Sequence, residues 1–304
     1  MGMNETKNVL LAGASGVLGR HVTEALTRAG HTVIGLGRGA GAGVRADLMD
    51  HDGLLRAVDG LAVDTVVHAA TALRKAPARH RDMFATDVLR VTGTRNLMEA
   101  ARAVGARRVI AESMVFGYGY RDFGDHVITE ETDLFGPTGD PAMERHLEGM
   151  RVKEALMLGA GDIEGIALRF GLFYGAGATE TLVEMLRGRR LPAVADQGRV
   201  LPWVDLADAG RAVALAVEGG RPGHAYNIVD DTPMGFGAHV RTTAEAFATP
   251  KPMSVPAWLM RPASYAYRMV RTNMRVSNAK AKTGLGWTPT CQGCAEGLRV
   301  LAAR

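Results

Sequence analysis

Val9-Leu10-Leu11-Ala12-Gly13-Ala14-Ser15-Gly16-Val17-Leu18-Gly19-Arg20 is a short apolar run that turns through three glycines into an amphipathic stretch. The pattern predicts a strand, a tight turn and a helix. Gly13 lets the chain turn sharply, Gly16 lets backbone approach a pyrophosphate, and Gly19 lets the helix pack on the sheet. Ser15, Val17 and Leu18 lie in the same loop, whose helix N-terminus would face phosphate groups.

Outward from this turn, apolar runs of strand length alternate with helical patterns. The predicted strands are Asn8 to Ala12, Thr32 to Leu36, Thr65 to His68, Arg108 to Ala111 and Gly165 to Arg169. The helical stretches include Val17 to Ala29 and Met83 to Val104, the latter with Val88, Val91, Leu97 and Met98 as an apolar stripe. Such alternation predicts an α/β fold with a Rossmann-type, doubly wound parallel sheet. Residues 1–174 are expected to form the dinucleotide-binding domain. Residues 175–304, broken by nine prolines and holding one convincing strand at Ala225 to Val229, read as a smaller, mainly helical C-terminal substrate lobe that interleaves with it. Within the lobe, Val255 to Val270 carries Trp258, Leu259, Met260, Tyr265, Tyr267 and Met269, enough apolar and aromatic surface for core packing or for a lid at 255–275.

The chain has 304 residues, 47% of them hydrophobic, and a formal charge of +4. No block of like charges or aromatic-interleaved basic stripe argues for nucleic acid. No run approaches the roughly 18 apolar residues of a membrane span, and the first residues lack a signal peptide's apolar core, so a cytoplasmic protein is expected. Gly2 with Thr6 matches an N-myristoylation pattern too short to carry weight. The only cysteines, Cys291 and Cys294, have CxxC spacing but no neighbouring histidine pair. They read as reduced thiols at the start of a helix, and no metal site is expected.

Several separate motifs together resemble the extended short-chain dehydrogenase/reductase family over nearly the whole chain. Besides the glycine turn, these are Ala46-Asp47-Leu48-Met49, His68-Ala69-Ala70, Gly93-Thr94-Arg95-Asn96-Leu97, Leu168-Arg169-Phe170-Gly171-Leu172-Phe173-Tyr174-Gly175, and Ser277-Asn278-Ala279-Lys280 followed by Leu285-Gly286-Trp287-Thr288-Pro289. The resemblance implies that Asp47 and Leu48 meet the adenine. It implies that Ala69, Ala70 and Thr71 pass beneath the cofactor, and that Phe170 and Leu172 lie beside the nicotinamide. The second strand ends Gly37-Arg38 with no acid to favour NAD. Arg38 is suited to a 2′-phosphate, so the expected cofactor is NADPH.

The family's catalytic Ser or Thr, Tyr and Lys are not all present. Glu112-Ser113-Met114-Val115-Phe116-Gly117 matches the serine segment with a one-residue ambiguity, and Ser113 is the better chemical candidate for polarising a carbonyl. Two alignments of the tyrosine–lysine pair are open. One gives Gly149 and Lys153, the other His146 and Met150, and neither contains the tyrosine. Arg90 stands where the family usually has an asparagine ahead of Gly93-Thr94. His146 is therefore the candidate acid, with water or a substrate hydroxyl as alternative proton sources.

Loss of the tyrosine costs least when the product alkoxide is already stabilised, as in a ketone flanked by phenolic hydroxyls. The expected function is NADPH-dependent reduction of a ketone on an aromatic, angucyclinone-like polyketide. In this the chain resembles the tyrosine-less polyketide ketoreductases of actinomycetes. Nucleotide-sugar epimerisation or dehydration, and cofactor binding without turnover as a redox sensor, are the alternatives. The oligomeric state is open.

Overall fold

The computed structural model describes residues 5–131, 135–136 and 141–304. Gly2 of the N-terminal pattern lies outside the described residues. The first half runs β1 (Asn8–Ala12), α1 (Val17–Arg28), β2 (Thr32–Gly37), β3 (Val44–Arg45), α2 (His51–Val58), β4 (Thr65–His68), α3 (Phe84–Val88), α4 (Thr94–Ala103), β5 (Arg108–Met114), β6 (Asp122–Ile128), α5 (Pro141–Leu158), β7 (Glu164–Phe170) and β8 (Leu172–Tyr174). It continues through α6 (Thr179–Arg187), β9 (Ala193–Val194), β10 (Trp203–Asp205), α7 (Leu206–Gly219), β11 (His224–Ile228), α8 (Phe236–Ala246), β12 (Ser254–Val255), α9 (Ser264–Arg271), β13 (Asn273–Val276), α10 (Ala279–Leu285) and α11 (Cys294–Ala302).

Seven strands form one parallel sheet in the order β11-β7-β5-β4-β1-β2-β3. β1, β4 and β5 are near-continuous apolar runs because helices cover both their faces. On one face Val9, Leu11, Val67 and Ile110 pack with Val22 and Leu26 of α1, Val213 and Val217 of α7, and Trp287. On the other, Leu10, Val66 and Val109 pack with Leu54 of α2, Leu97 and Ala101 of α4, and Met157 of α5. Strand order reverses between β1 and β4, which opens a crevice at the carboxyl edge of the sheet.

The two stretches divided at residue 175 interleave. β11 closes the sheet edge beside β7, and the other strands after Tyr174 form small parallel pairs, β10 with β8, β12 with β9 and β13 with β6. The second half thus holds five strands where one was expected, because two- to four-residue strands leave too little alternation to read. The long helix expected over Met83 to Val104 is divided by a π-helical turn at Leu89–Gly93. The extra residue rotates the apolar stripe, so Leu97 and Met98 are buried while Val88 is exposed. Val255 to Val270 is likewise not one helix. A 3₁₀ turn at Ala257–Met260 leaves Trp258 and Leu259 exposed, and α9 buries Tyr265.

His239 of α8 stacks on Trp203, ring centroids 3.8 Å apart, and burial pushes its pKa down to about 4. Its unfolded state takes up a proton near pH 6.5 while the folded state refuses it until about 4, so stability falls as pH drops through that window. Chemical denaturation across pH 7 to 4 is expected to show a loss of about 3 kcal/mol from this residue. The corresponding part of the slope should be absent in His239→Gln. A built Cβ on Gly19 lies 2.1 Å from the Gly13 carbonyl oxygen, so Gly19→Ala is expected to destabilise the fold by about 2 kcal/mol, read by thermal melting.

Candidate active site

The glycine turn has the geometry its sequence asks for. Gly13 takes φ +91°, and its N–H donates to the Leu36 carbonyl at 3.0 Å. A Cβ there would sit 2.7 Å from the Ala69 oxygen and 2.8 Å from the Ala70 Cα, so the turn lies directly against the loop that leaves β4. Gly16 is the N-cap of α1 with no side-chain cap, which leaves the first-turn N–H groups available to an anion. Ser15 and Val17 are exposed, whereas Leu18 is buried in the core.

These residues fit a dinucleotide. The cradle is one that side chains would fill, and its open helix terminus suits a pyrophosphate. Arg38 at the end of β2 is exposed, with its guanidinium 3.9 Å from Asp47. Asp47 Oδ1 accepts from the Met49 N–H at 3.0 Å, and Asn96 of α4 donates to the Leu48 carbonyl at 2.8 Å, which holds this loop in place. Thr71 accepts from the Leu73 N–H. Leu172 is half-buried beside the sheet edge, while Phe170 is wholly buried against Phe173, so only its main chain can face a ligand.

At the ends of β4 and β5 the polar groups divide into two sets. Ser113, buried, donates to Glu154 Oε1 at 2.5 Å. Glu154 is forked by Arg169 at 2.7 and 3.0 Å, and Arg169 donates to the Tyr118 hydroxyl, which donates to Asn227. Burial pushes Tyr118 up to about 12, with Arg169 working against it. The Ser113 hydroxyl is thereby held in a structural network that joins β5, α5, β7 and β11.

The neighbouring Glu112 makes the other set. Its carboxylate pairs with Lys153 Nζ at 3.0 Å, and the same ammonium donates to the His68 carbonyl at 3.3 Å. Burial lowers the Lys153 pKa, partly offset by Glu112. His68, fully buried with neither ring nitrogen hydrogen-bonded, is held neutral by burial and by the cations Lys153 and Arg90. Of the two alignments, the one through Lys153 puts a lysine at the carboxyl edge of the sheet, with Gly149 one turn before it on α5.

His146 is wholly buried, and both ring nitrogens are engaged. Nδ1 meets Asp87 Oδ2 at 2.6 Å and Nε2 meets His80 Nδ1 at 3.0 Å, with the two imidazoles stacked at 5.3 Å. Asp87 and His80 are therefore the two described groups with which His146 can exchange a proton. Tyr265 of α9 sets its ring edge against both imidazoles, and its hydroxyl lies 2.6 Å from that of Tyr120. Burial raises both phenols, so they stay protonated.

His80, Asp87, Glu112 and Tyr120 were not singled out as site residues in the sequence. Asp87 and His146 are 59 positions apart, and no local pattern links them. Glu112 had one usable signal, the one-residue ambiguity in matching Glu112-Ser113-Met114-Val115-Phe116-Gly117 to the serine segment.

No group of three or more metal-ligating side chains occurs among the described residues, and no described helix is long and apolar enough to cross a membrane. Glu154→Gln strips the buried Arg169 of its counter-charge and is expected to cost about 3 kcal/mol or more in urea unfolding.

Comparison with known proteins agrees with this architecture. The profile of the NAD dependent epimerase/dehydratase family matches residues 9–229. A 3-diazoavenalumate denitrifying reductase from Streptomyces sp. is 33% identical over 95% of this chain and 98% of its own length. A dTDP-4-dehydrorhamnose reductase from Streptomyces griseus is 31% identical over 73% and 70%. Among solved structures, RMD from Pseudomonas aeruginosa, complexed with NADPH, superposes with a TM-score of 0.74 at 20% identity, covering 98% of both chains. MoeE5 in complex with UDP-glucuronic acid and NAD reaches 0.78 at 24% identity, covering 97% of this chain and 98% of its own. A chain with this sheet order, this glycine turn and a family match over residues 9–229 belongs to the NAD dependent epimerase/dehydratase family.

Proposed function

We propose that this protein is an NADPH-dependent reductase acting on an aromatic acceptor that needs no tyrosine acid. The observation that carries the reading is α5, which has Lys153 bound to Glu112 and a glycine, not a phenol, one turn before it. Epimerisation or dehydration of a sugar starts by oxidising an alcohol, and that step needs a base at the hydroxyl. Net reduction of an activated acceptor has no such demand. The two curated relatives, both named as reductases, support the same direction.

The cofactor would lie on Gly13, Gly16 and Gly19 along the carboxyl edge, and when bound it supplies hydride. Arg38 would hold the 2′-phosphate, with Asp47 and Leu48 at the adenine and Ala69, Ala70 and Thr71 below. The acceptor would rest between the end of β5 and α9, under Tyr265. For a ketone, hydride adds at the carbonyl carbon and the π electrons move to oxygen. The proton then comes from a neighbouring phenol of the substrate or from water through His80 and His146. An angucyclinone-like polyketide ketone meets these conditions.

The 3-diazoavenalumate reductase favours a second acceptor, a diazo compound in its aryl diazonium form, because hydride then replaces departing dinitrogen at the ring carbon and leaves a neutral arene with no alkoxide to protonate. Neither acceptor calls on Ser113, whose hydroxyl is committed to Glu154.

The deciding experiment follows NADPH absorbance with the purified protein against angucyclinone-like ketones, 3-diazoavenalumate and UDP-glucose. Stoichiometric alcohol, or release of dinitrogen, with deuterium carried from labelled NADPH into the product, is expected. A sugar turned over with no net cofactor consumption defeats the reading, as does binding without consumption across the panel. Arg38→Ala is expected to weaken NADPH about tenfold, the equivalent of about 1.4 kcal/mol, and to leave NADH unchanged in a fluorescence titration. Ser113→Ala is expected to lower the melting temperature while keeping the hydride-transfer rate within about threefold, far less than the hundredfold or more typical of a lost general acid.

A further inference from the structure

Arg90 is a buried cation that makes no hydrogen bond among the described residues. It is the second residue of the π-helical turn Leu89–Gly93 and is only 8% exposed. Among the described residues its one ionic partner is Asp87, Nη1 to Oδ1 at 3.5 Å, and neither atom has a hydrogen-bond partner there. The other Asp87 oxygen belongs to His146. A guanidinium offers five donors in a planar fork, and leaving them unmatched in a buried place is costly unless something else accepts them.

Its position shows where that acceptor would be. The Arg90 Cδ is 3.5 Å from where a Cβ on Gly149 would stand, and the Asp87 carbonyl oxygen is 3.4 Å from the same point. The arginine stem therefore lies in van der Waals contact with the point where a side chain at 149, the tyrosine position in the alignment through Lys153, would begin. Lys153, one turn further along α5, is bound to Glu112 and so is neutralised locally. Arg90 is close enough to help lower the pKa values of Lys153 and His68. Among the described residues around this end of β4 and β5, the charged groups are Asp87, Arg90, Glu112, Lys153, Glu154 and Arg169, and of the three cations Arg90 is the one with no hydrogen bond.

We infer that Arg90, seated against Gly149, is a substrate-binding residue that receives an ionised oxygen of the aromatic acceptor, such as a phenolate. This rests on the reductase reading and gives it a substrate class. The missing tyrosine is then replaced by a fixed cation, which stabilises the substrate's ionised oxygen and supplies no proton itself, so of the two proton sources named above the one used is water through His80 and His146. A neutral acceptor gains nothing from the site.

The test uses 4-nitrophenol as the probe and 4-nitroanisole as its neutral counterpart, with the full chain in the presence of NADP⁺. At the pH where the free phenol is half ionised, binding to the unmutated protein is expected to raise the phenolate absorbance. Arg90→Gln should weaken phenol binding about tenfold or more and abolish the rise. Arg90→Lys, which keeps the charge without the fork, should retain part of it and guards against a folding artefact, checked by circular dichroism. An undiminished rise in folded Arg90→Gln, or equal binding of 4-nitroanisole, overturns the inference. NADPH fluorescence on the same samples separates the two claims. Failure of the unmutated protein to bind NADPH defeats the reductase reading, while the Arg90 dependence of the phenolate signal still decides the anion site.

Discussion

Everything at the carboxyl edge depends on how closely the glycine turn can approach the loop after β4. β1 and β4 are parallel neighbours at the point where strand order reverses, so their exits meet across the crevice. Gly13 lies against Ala69 and Ala70 with no room for a Cβ, and Gly19 lies against Gly13. The small residues at 69 and 70 belong to the same constraint, since both sides of the contact are main chain. With this contact made, α1 points its N-terminus into the crevice and the ends of β4 and β5 become its floor.

Upon that floor the chain buries an unusual amount of charge. One network, Ser113, Glu154, Arg169, Tyr118 and Asn227, is hydrogen-bonded from end to end, with the Asn227 amide nitrogen left over, and ties α5 to three strands of the sheet. A second set, Asp87, Arg90, His146 and His80 with Lys153 and Glu112, is only partly satisfied. The two sets differ in how completely their buried charges are hydrogen-bonded, since both Arg169 and Glu154 are matched whereas Arg90 Nη1 and Asp87 Oδ1 are not. The π-helical turn belongs to the second set. It adds a residue between α3 and α4, and such turns are common at functional sites because they re-aim a side chain at some expense in helix stability.

Legibility from sequence followed the length scale of each signal. Asn8–Ala12 and Thr65–His68 were readable to the residue because buried parallel strands are continuous apolar runs. The glycine spacing was readable because each glycine answers a local steric demand. The short strand pairs of the second half, the π-helical turn and the exposed 3₁₀ turn at Trp258 were not, since none imposes a period long enough to detect. At the site, the absence of a tyrosine from α5 and the oddity of Arg90 were visible in the sequence, but the roles of Ser113 and His146 depended on partners 41 and 59 positions away.

The sequence by itself thus determined the sheet, the glycine turn with its open helix terminus, and the family, because each leaves a local pattern in the chain, continuous apolar runs, glycine spacing and short motifs, whatever distant residues it later meets. Only the tertiary structure decided that Ser113 serves Glu154, that His146 meets Asp87 and His80, and that Arg90 lies against Gly149 with its donors unspent. The reason is physical. Hydrogen-bond and ion-pair assignments among buried groups depend on which side chains the packed helices bring within about 3 Å, and no local pattern records that distance.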